Sequence, residues 1–468
     1  MRICIYAYTT TAYFFRALID ACAVARDDVE WSVIHPQGHF RHLFRSVVPA
    51  ERQCYLYGDF AVRYAACNAA LVARGLAAGE GLVTALMKDK DGYRHLDKDE
   101  QLRRAATMHG CYDDFLARVR PDFVLFPDLE VVDGFVLMNL CRARGIDVLY
   151  FVGMRLLGRS FFAADPYEAL PRYLGGHTED DREAARGVIR DFRERCSGEP
   201  GSAYPQAPPP RPSLWRRVVV SAWIRRRHER LHASEETLAM RIKRNCLGLV
   251  NRLRRWRFDV TASRFFDPPD PLPARYIYYA LHYTPESSIN GLEPYYVDQL
   301  RAVDALLLNL PAGHCLVVKE HPAMYGVRSL SFYRALRHRP GLVLLHPAVD
   351  SRALATGASL VVTVTGTVGL EAYLLGKPCL SFGRSFFAHL CRRAPALSEL
   401  GAAMRSLIAT HVPPSEAEKE IEIAKLLNIG ADFTIGDPWF NPRVMAPGNV
   451  AAARRYLWRH LERLKEAA

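Results

Sequence analysis

The stretch VVKEHPAMYG (317–326) and the longer LLHPAVDSRALATGASLVVTVTGTVGLEAYLLGKPCLSFG (344–383) decide the fold. Two short apolar runs, CLVV and SLVVTV, end abruptly in polar residues. The first meets Lys319-Glu320-His321-Pro322. The second meets Thr365-Gly366-Thr367-Val368-Gly369, after which a helical pattern begins. Unbroken apolar runs of this length read as buried parallel strands, and the segments after them as crossover helices. In open α/β sheets, ligands lie beyond the carboxyl ends of the strands. Lys319, His321 and the Thr/Gly-rich turn are therefore expected to face one crevice suited to a phosphorylated ligand.

Outward from this stretch, an alternating unit starts at ARYIYYALHY (274–283). Its strands are expected at 276–282, 314–318, 342–345, 360–364 and 378–382, which makes a five-stranded Rossmann-like domain. The first half shows the same alternation, with strands expected at 2–8, 31–35, 119–128 and 147–152, and helices at 12–26 and 132–145. Between the halves, 176–212 is polar and then proline-rich (YPQAPPPRP), and no packed core is expected there. A basic segment of helical periodicity follows at 213–257, and DPPDPLP (267–273) marks a boundary. The expected architecture is α/β, with two facing Rossmann-like domains and a basic helical insertion. The domains are read as 1–175, a linker and insertion at 176–273, 274–446, and a basic amphipathic helix at 447–468 that returns to the first domain.

A chain of 468 residues is too long for one ordinary core. It opens MRICIYAYTT, without a cleavable signal pattern, and no apolar run reaches transmembrane length. Its eleven cysteines are scattered with no CxxC pair, which points to reduced thiols in the cytoplasm and to no structural metal. The net charge of +12 is uneven: residues 211–257 hold fourteen Lys/Arg against three Glu. The remainder is nearly neutral, unlike a globally basic nucleic-acid binder, so no nucleic-acid partner is expected.

Each motif has a plain alternative beside its functional reading. Pro322 forces a turn that holds His321 at the sheet edge as a phosphate donor; a strand-end cap is the alternative. Lys319 adds charge for an anion. Thr365, Gly366 and Thr367 open a helix whose N–H groups and hydroxyls suit phosphate, against ordinary N-capping by either threonine. The turn has neither GxGxxG nor P-loop spacing. Glu371, one turn further, suits ribose hydroxyls or simply the helix dipole. His282 and Glu286, in LHYTPESS, follow the first strand of the second unit and are placed near the interdomain cleft. Asp128 and Glu130 end the strongest strand of the first half, where a carboxylate acts as base or nucleophile or merely caps the next helix. Lys88-Asp89-Lys90-Asp91-Gly92 reads as a charged turn and no more. In the basic segment, Trp215, Val218, Val219, Trp223 and Ile224 interleave with arginines, which suits an anionic membrane surface or a solvated insertion.

With LHYTPESS, VVKEHP, the DS of HPAVDS and VTVTGTVGLEAYLLGKPCLSFG in view, the chain resembles the bacterial capsule and surface-polysaccharide biosynthesis proteins, most strongly over 274–390. The resemblance implies a GT-B-type glycosyltransferase related to transferases of CMP-activated acidic sugars such as Kdo and sialic acid. It implies that His321, Thr365 and Thr367 contact the nucleotide phosphate of the donor. The family's catalytic carboxylate matches no motif here, so Asp128 and Glu130 rest on position alone. The expected activity is metal-independent, cofactor-free transfer of a sugar, Kdo or a similar acidic sugar among the candidates, from a nucleotide donor to a glycan or lipid-linked acceptor. CMP is the favoured nucleotide. The expected place is the cytoplasm, with peripheral attachment to the inner membrane surface through the basic segment. A nucleotide-sugar 2-epimerase and a non-catalytic assembly or export component are the alternatives.

Overall fold

A computed structural model of the chain describes residues 1–25, 27–36, 38–77, 81–89, 96–127, 129–154, 157–164, 176–197, 261, 264–284, 287–438 and 441–466. The proline-rich stretch and the basic segment lie outside these residues, as do Asp128 and Glu286.

Two six-stranded sheets organise the molecule. The first comprises β1 (Arg2–Tyr6), β2 (Glu30–His35), β3 (Gln53–Tyr55), β4 (Phe123–Phe126), β5 (Asp147–Met154) and β6 (Arg159–Ala163), in the order β3-β2-β1-β4-β5-β6. All its pairings are parallel except β5 with β6. The second comprises β7 (Tyr276–Ala280), β8 (Cys315–Lys319), β9 (Leu342–Leu345), β10 (Leu360–Thr363), β11 (Cys379–Ser381) and β12 (Arg392–Arg393), ordered β12-β11-β10-β7-β8-β9 and wholly parallel. Strand order reverses between β1 and β4 in one sheet and between β7 and β10 in the other. Such switch points open the crevices in which α/β proteins bind ligands. The α/β layout of two Rossmann-like sheets expected from the sequence is the layout found.

Central strands such as YIYYA and CLVVK are buried on both faces because helices cover both sides of a parallel sheet. Tyr276, Tyr278 and Val317 point into one helical layer; Ile277, Tyr279 and Val318 point into the other.

Several elements differ from expectation. The expected strand 119–128 shrinks to β4, because Val119 ends a helix (Lys98–Val119) whose C-cap, Arg120, adopts a positive φ of 43°. Asp122 then fixes Arg2, accepting from its backbone N–H at 2.8 Å and its guanidinium at 2.7 Å. The second sheet has six strands, not five, since the two-residue edge strand β12 carries no apolar run to announce it. Residues Glu179–Ser197, read as part of a coreless linker, form a helix that buries Ala185, Ile189 and Phe192. Against that helix packs another, Glu416–Ile429, opened by a Ser415–Glu418 capping box. Ile423, Leu426 and Leu427 of this second helix share a core cluster with the first sheet. The final helix, Pro447–Glu466, packs on Thr11–Val24, and Asp27 accepts from Arg454 Nε and Trp458 Nε1, each at 2.6 Å.

Candidate functional site

The crevice of the second sheet is built around His282, two residues beyond Ala280 at the end of β7 and only 6% exposed. Its main chain is held by Gln299: the His282 N–H donates to Oε1 at 2.7 Å, and the Gln299 amide returns a hydrogen bond to the His282 carbonyl at 3.3 Å. The ring reaches across the switch point, where Nε2 accepts the backbone N–H of Thr365 at 3.1 Å. With Nε2 accepting, the neutral ring carries its proton on Nδ1. Beside it, Thr363 Oγ1 accepts the N–H of Gly366 at 2.9 Å. Thr363, a strand residue, therefore fixes the turn that the sequence reading left to Thr365 or Thr367. Thr367 stands at the N-cap of helix Val368–Leu374 with no side-chain cap bond. Gly366 is needed for space: a Cβ there would lie 3.0 Å from Thr363 Oγ1 and 3.1 Å from His282 Nε2.

One strand over, Glu320 is fully buried and serves as a hub. Arg328 Nε pairs with it at 3.0 Å and the Tyr333 hydroxyl donates to it at 2.6 Å. Arg328 also donates to Thr284 Oγ1 at 3.2 Å and to the His282 carbonyl, so one guanidinium ties the ends of β7 and β8 together. His321 follows immediately, half-buried. Its Nδ1 accepts the Ala323 N–H at 3.2 Å, capping the turn Pro322–Met324. The capping role and the donor role are compatible, because Nδ1 caps while Nε2 of the neutral ring carries the proton.

Lys319 has a different environment from the open anion contact expected. It is 3% exposed, and its ammonium donates to Ser351 Oγ at 2.7 Å. Burial pulls its pKa down to about 8, against the opposing pull of Asp350, Glu371 and Glu320. Glu371 lies in the same cluster, its carboxyl raised by burial and lowered in part by Arg352 and Lys319. Lys319, Ser351, Asp350, Arg352 and Glu371 thus form a mutually compensating polar cluster under the starts of two helices.

In the first domain the structure brings forward residues that the sequence reading passed over. Lys88 and Asp89 are 4% and 3% exposed rather than a solvated turn. Asp89 Oδ1 accepts the Val132 N–H at 3.0 Å, taking the capping role considered for Asp128. Asp133, also buried, has a pKa raised to about 7, chiefly by desolvation and with Asp89 adding to it. Glu130 is half-buried on the link between β4 and helix Val132–Ala143. Four residues on, Gly134 leaves room for Tyr6 of β1, whose hydroxyl would lie 3.1 Å from a Cβ there. The halves meet nearby: Glu293 of the second half, its carboxyl raised by burial, feels the opposing charges of Arg393, Arg384 and, from the first half, Lys88. No pattern in the sequence marks Asp133 or Glu293; a buried acid inside a helix start is visible only once the helix is packed. Among the described residues, no group of three His, Cys, Asp or Glu side chains is arranged to hold a metal ion, and no single helix is long and apolar enough to cross a membrane.

Residues 300–390, which carry His321, the Lys319 cluster and the Thr365 turn, match the family described as capsule polysaccharide biosynthesis protein. The resemblance read from the motifs is borne out over that span. No curated protein sequence matches the chain. Among solved structures it is similar to a UDP-GlcNAc 2-epimerase from Methanocaldococcus jannaschii, at 12% identity over 92% of this chain and 99% of that one, with a TM-score of 0.26. It is similar also to the β-Kdo 2,7-transferase of KpsC from Thermosulfurimonas dismutans, at 13% identity over 75% and 89% with a TM-score of 0.34. The β-Kdo 2,4-transferase of the same protein follows at 15% identity over 72% and 87%, TM-score 0.31.

Proposed function

We propose that the protein is a glycosyltransferase of capsule or surface-polysaccharide biosynthesis that moves a sugar from a nucleotide donor to a glycan or lipid-linked acceptor. One observation carries the reading: the segment that matches the capsule family brings His321 and the Thr365–Thr367 turn to one sheet edge, beside His282 just past the end of β7. In this reading the nucleotide phosphate sits at that edge and departs with negative charge. His321 Nε2–H and the turn around Thr365, Gly366 and Thr367 stabilise that charge, as prepositioned donors do in other group transfers. Lys319 acts at one remove, orienting Ser351 while lending its positive field. Glu371 takes the ribose hydroxyls. No divalent ion is required, and CMP is the favoured nucleotide.

The acceptor belongs in the first half, where its hydroxyl needs a base. Asp128 and Glu130 remain positional candidates. Asp133 joins them as the buried carboxyl whose proton affinity lies near neutrality, the range in which a base both accepts and releases a proton. The basic segment 213–257 brings the enzyme to the cytoplasmic membrane face that carries the acceptor.

The test has two stages. Thermal stabilisation by CMP, UDP, GDP and ADP identifies the donor class. The corresponding nucleotide sugar, incubated without acceptor, is then followed by NMR. Slow hydrolysis alone supports the transferase; rapid inversion at the sugar's second carbon supports a nucleotide-sugar 2-epimerase and overturns it; no nucleotide response at all leaves a non-catalytic assembly component.

A further inference from the structure

The tripeptide His-Pro-Ala occurs twice, at 321–323 and at 346–348. The structure makes the repetition geometric. β8 and β9 are adjacent parallel strands with Lys319 opposite Leu345, so both tripeptides leave the same edge of the sheet. In each, the histidine Nδ1 accepts the backbone N–H two residues on: Ala323 at 3.2 Å and Ala348 at 3.1 Å. Each neutral ring is thereby locked with its proton on Nε2. The turns also touch, since Tyr325, directly after the His321 turn, meets the His346 ring edge-to-face at 4.9 Å.

We propose that His346 is a second donor-binding histidine, presenting its Nε2–H to an oxygen of the nucleotide phosphate beside His321. The inference rests on the nucleotide-donor reading above. Paired strands lie about 4.8 Å apart. Two rings leaving neighbouring strand ends match the oxygens of one phosphate better than a phosphate and a distant base. A fixed tautomer spares each ring the ordering that a mobile donor would need on binding. Burial and the Lys319 ammonium hold His346 below the usual histidine range, so the ring remains a neutral donor at pH 7. The His346 ring is half-buried and packed against Phe266 at 5.2 Å as well as Tyr325, which keeps it in place.

Ring-capping and phosphate binding are separable by substitution. An asparagine oxygen replaces Nδ1 as the acceptor for Ala348 N–H and supplies nothing at the position of Nε2. Calorimetry on the full-length chain uses CMP, UMP, GMP and AMP, each against its nucleoside. For the nucleotide that binds wild type, His346→Asn weakens affinity roughly tenfold or more, the usual worth of a hydrogen bond to a charged oxygen. Nucleoside affinity and the unfolding midpoint stay close to wild type. In long-range proton–nitrogen spectra of wild type, the His346 Nε2 resonance moves when the nucleotide is added. Unchanged nucleotide affinity in a folded His346→Asn protein overturns the inference, as does equal weakening of nucleotide and nucleoside. If that variant fails to fold, an unmoved His346 resonance in wild type overturns it instead. A wild-type protein that binds none of the four nucleotides defeats the donor-site reading itself, and this inference with it.

Discussion

His282 Nε2 and the backbone N–H of Thr365 are 3.1 Å apart, a hydrogen bond that spans the switch point between β7 and β10. A buried side chain thereby shapes the turn proposed to hold phosphate. Leaving a buried N–H without an acceptor costs about 1–3 kcal/mol. His282→Ala is expected to lower stability by about that amount in urea unfolding and to weaken nucleotide binding in calorimetry. A folded variant with wild-type affinity would detach the turn's shape from its binding.

Glu320 and Arg328 are both almost wholly out of water, and removing one member of such a pair leaves a buried charge uncompensated. Arg328→Met is expected to cost about 3–5 kcal/mol in chemical denaturation. The double variant Arg328→Met/Glu320→Gln recovers part of that loss. If the double variant is less stable than the single, Glu320 is held by the Tyr333 hydroxyl and the His321 N–H, both of which donate to it, rather than by the ion pair.

His321→Ala is expected to reduce turnover by about two to three orders of magnitude, the usual cost of losing one charge-stabilising donor. His321→Asn retains the cap on Ala323 and is expected to lose as much activity with less effect on stability. Turnover by His321→Asn at the wild-type rate would leave the ring with a capping role alone.

Asp133 provides a pH signature. Its carboxyl is raised from the ordinary 3.8 to about 7 by burial. The folded protein therefore holds this proton more tightly than the unfolded chain, and the contribution of Asp133 is most favourable below pH 4 and declines as pH rises toward 7. Tenfold in proton affinity is worth about 1.4 kcal/mol. Asp133→Asn is expected to stabilise the fold at pH 8 by roughly 1–4 kcal/mol, to leave it unaltered near pH 3.5, and to abolish sugar transfer. Equal stability of the two proteins at both pH values would contradict the raised carboxyl.

The basic segment is tested on vesicles. Wild type is expected to co-sediment with anionic vesicles and to be released by salt, each arginine near the surface contributing about 1 kcal/mol. Changing Arg225, Arg226 and Arg227 to Glu weakens this most at low salt. Binding indifferent to lipid charge, salt and these substitutions would assign the segment to a solvated insertion.

Much of this architecture was legible in the residues alone. YIYYA, CLVV and SLVVTV are short, rich in β-branched or aromatic residues and bounded by breakers, which together mark buried parallel strands. His321 was legible because proline follows it, and Gly366 because glycine in a strand-to-helix turn marks a close approach. Periodicity and punctuation act over a few residues, and so survive in a one-dimensional reading. The same locality hid β12, whose two arginines have no apolar period, and helix Glu179–Ser197, whose charged surface masks the apolar side chains it buries.

What the tertiary structure alone decided is the electrostatic state of the groups. Sequence placed Lys319 at a strand end, but only packing turned it onto Ser351 beside Asp350 and Glu371. Sequence ranked Asp89 as part of a charged turn, but packing buried it and gave it the Val132 N–H, and placed Asp133 beside it. Residues 319 and 351, or 282 and 365, are joined by no local pattern. Their meeting depends on strand order, and the cost of burying each charge depends on what the rest of the chain brings to it.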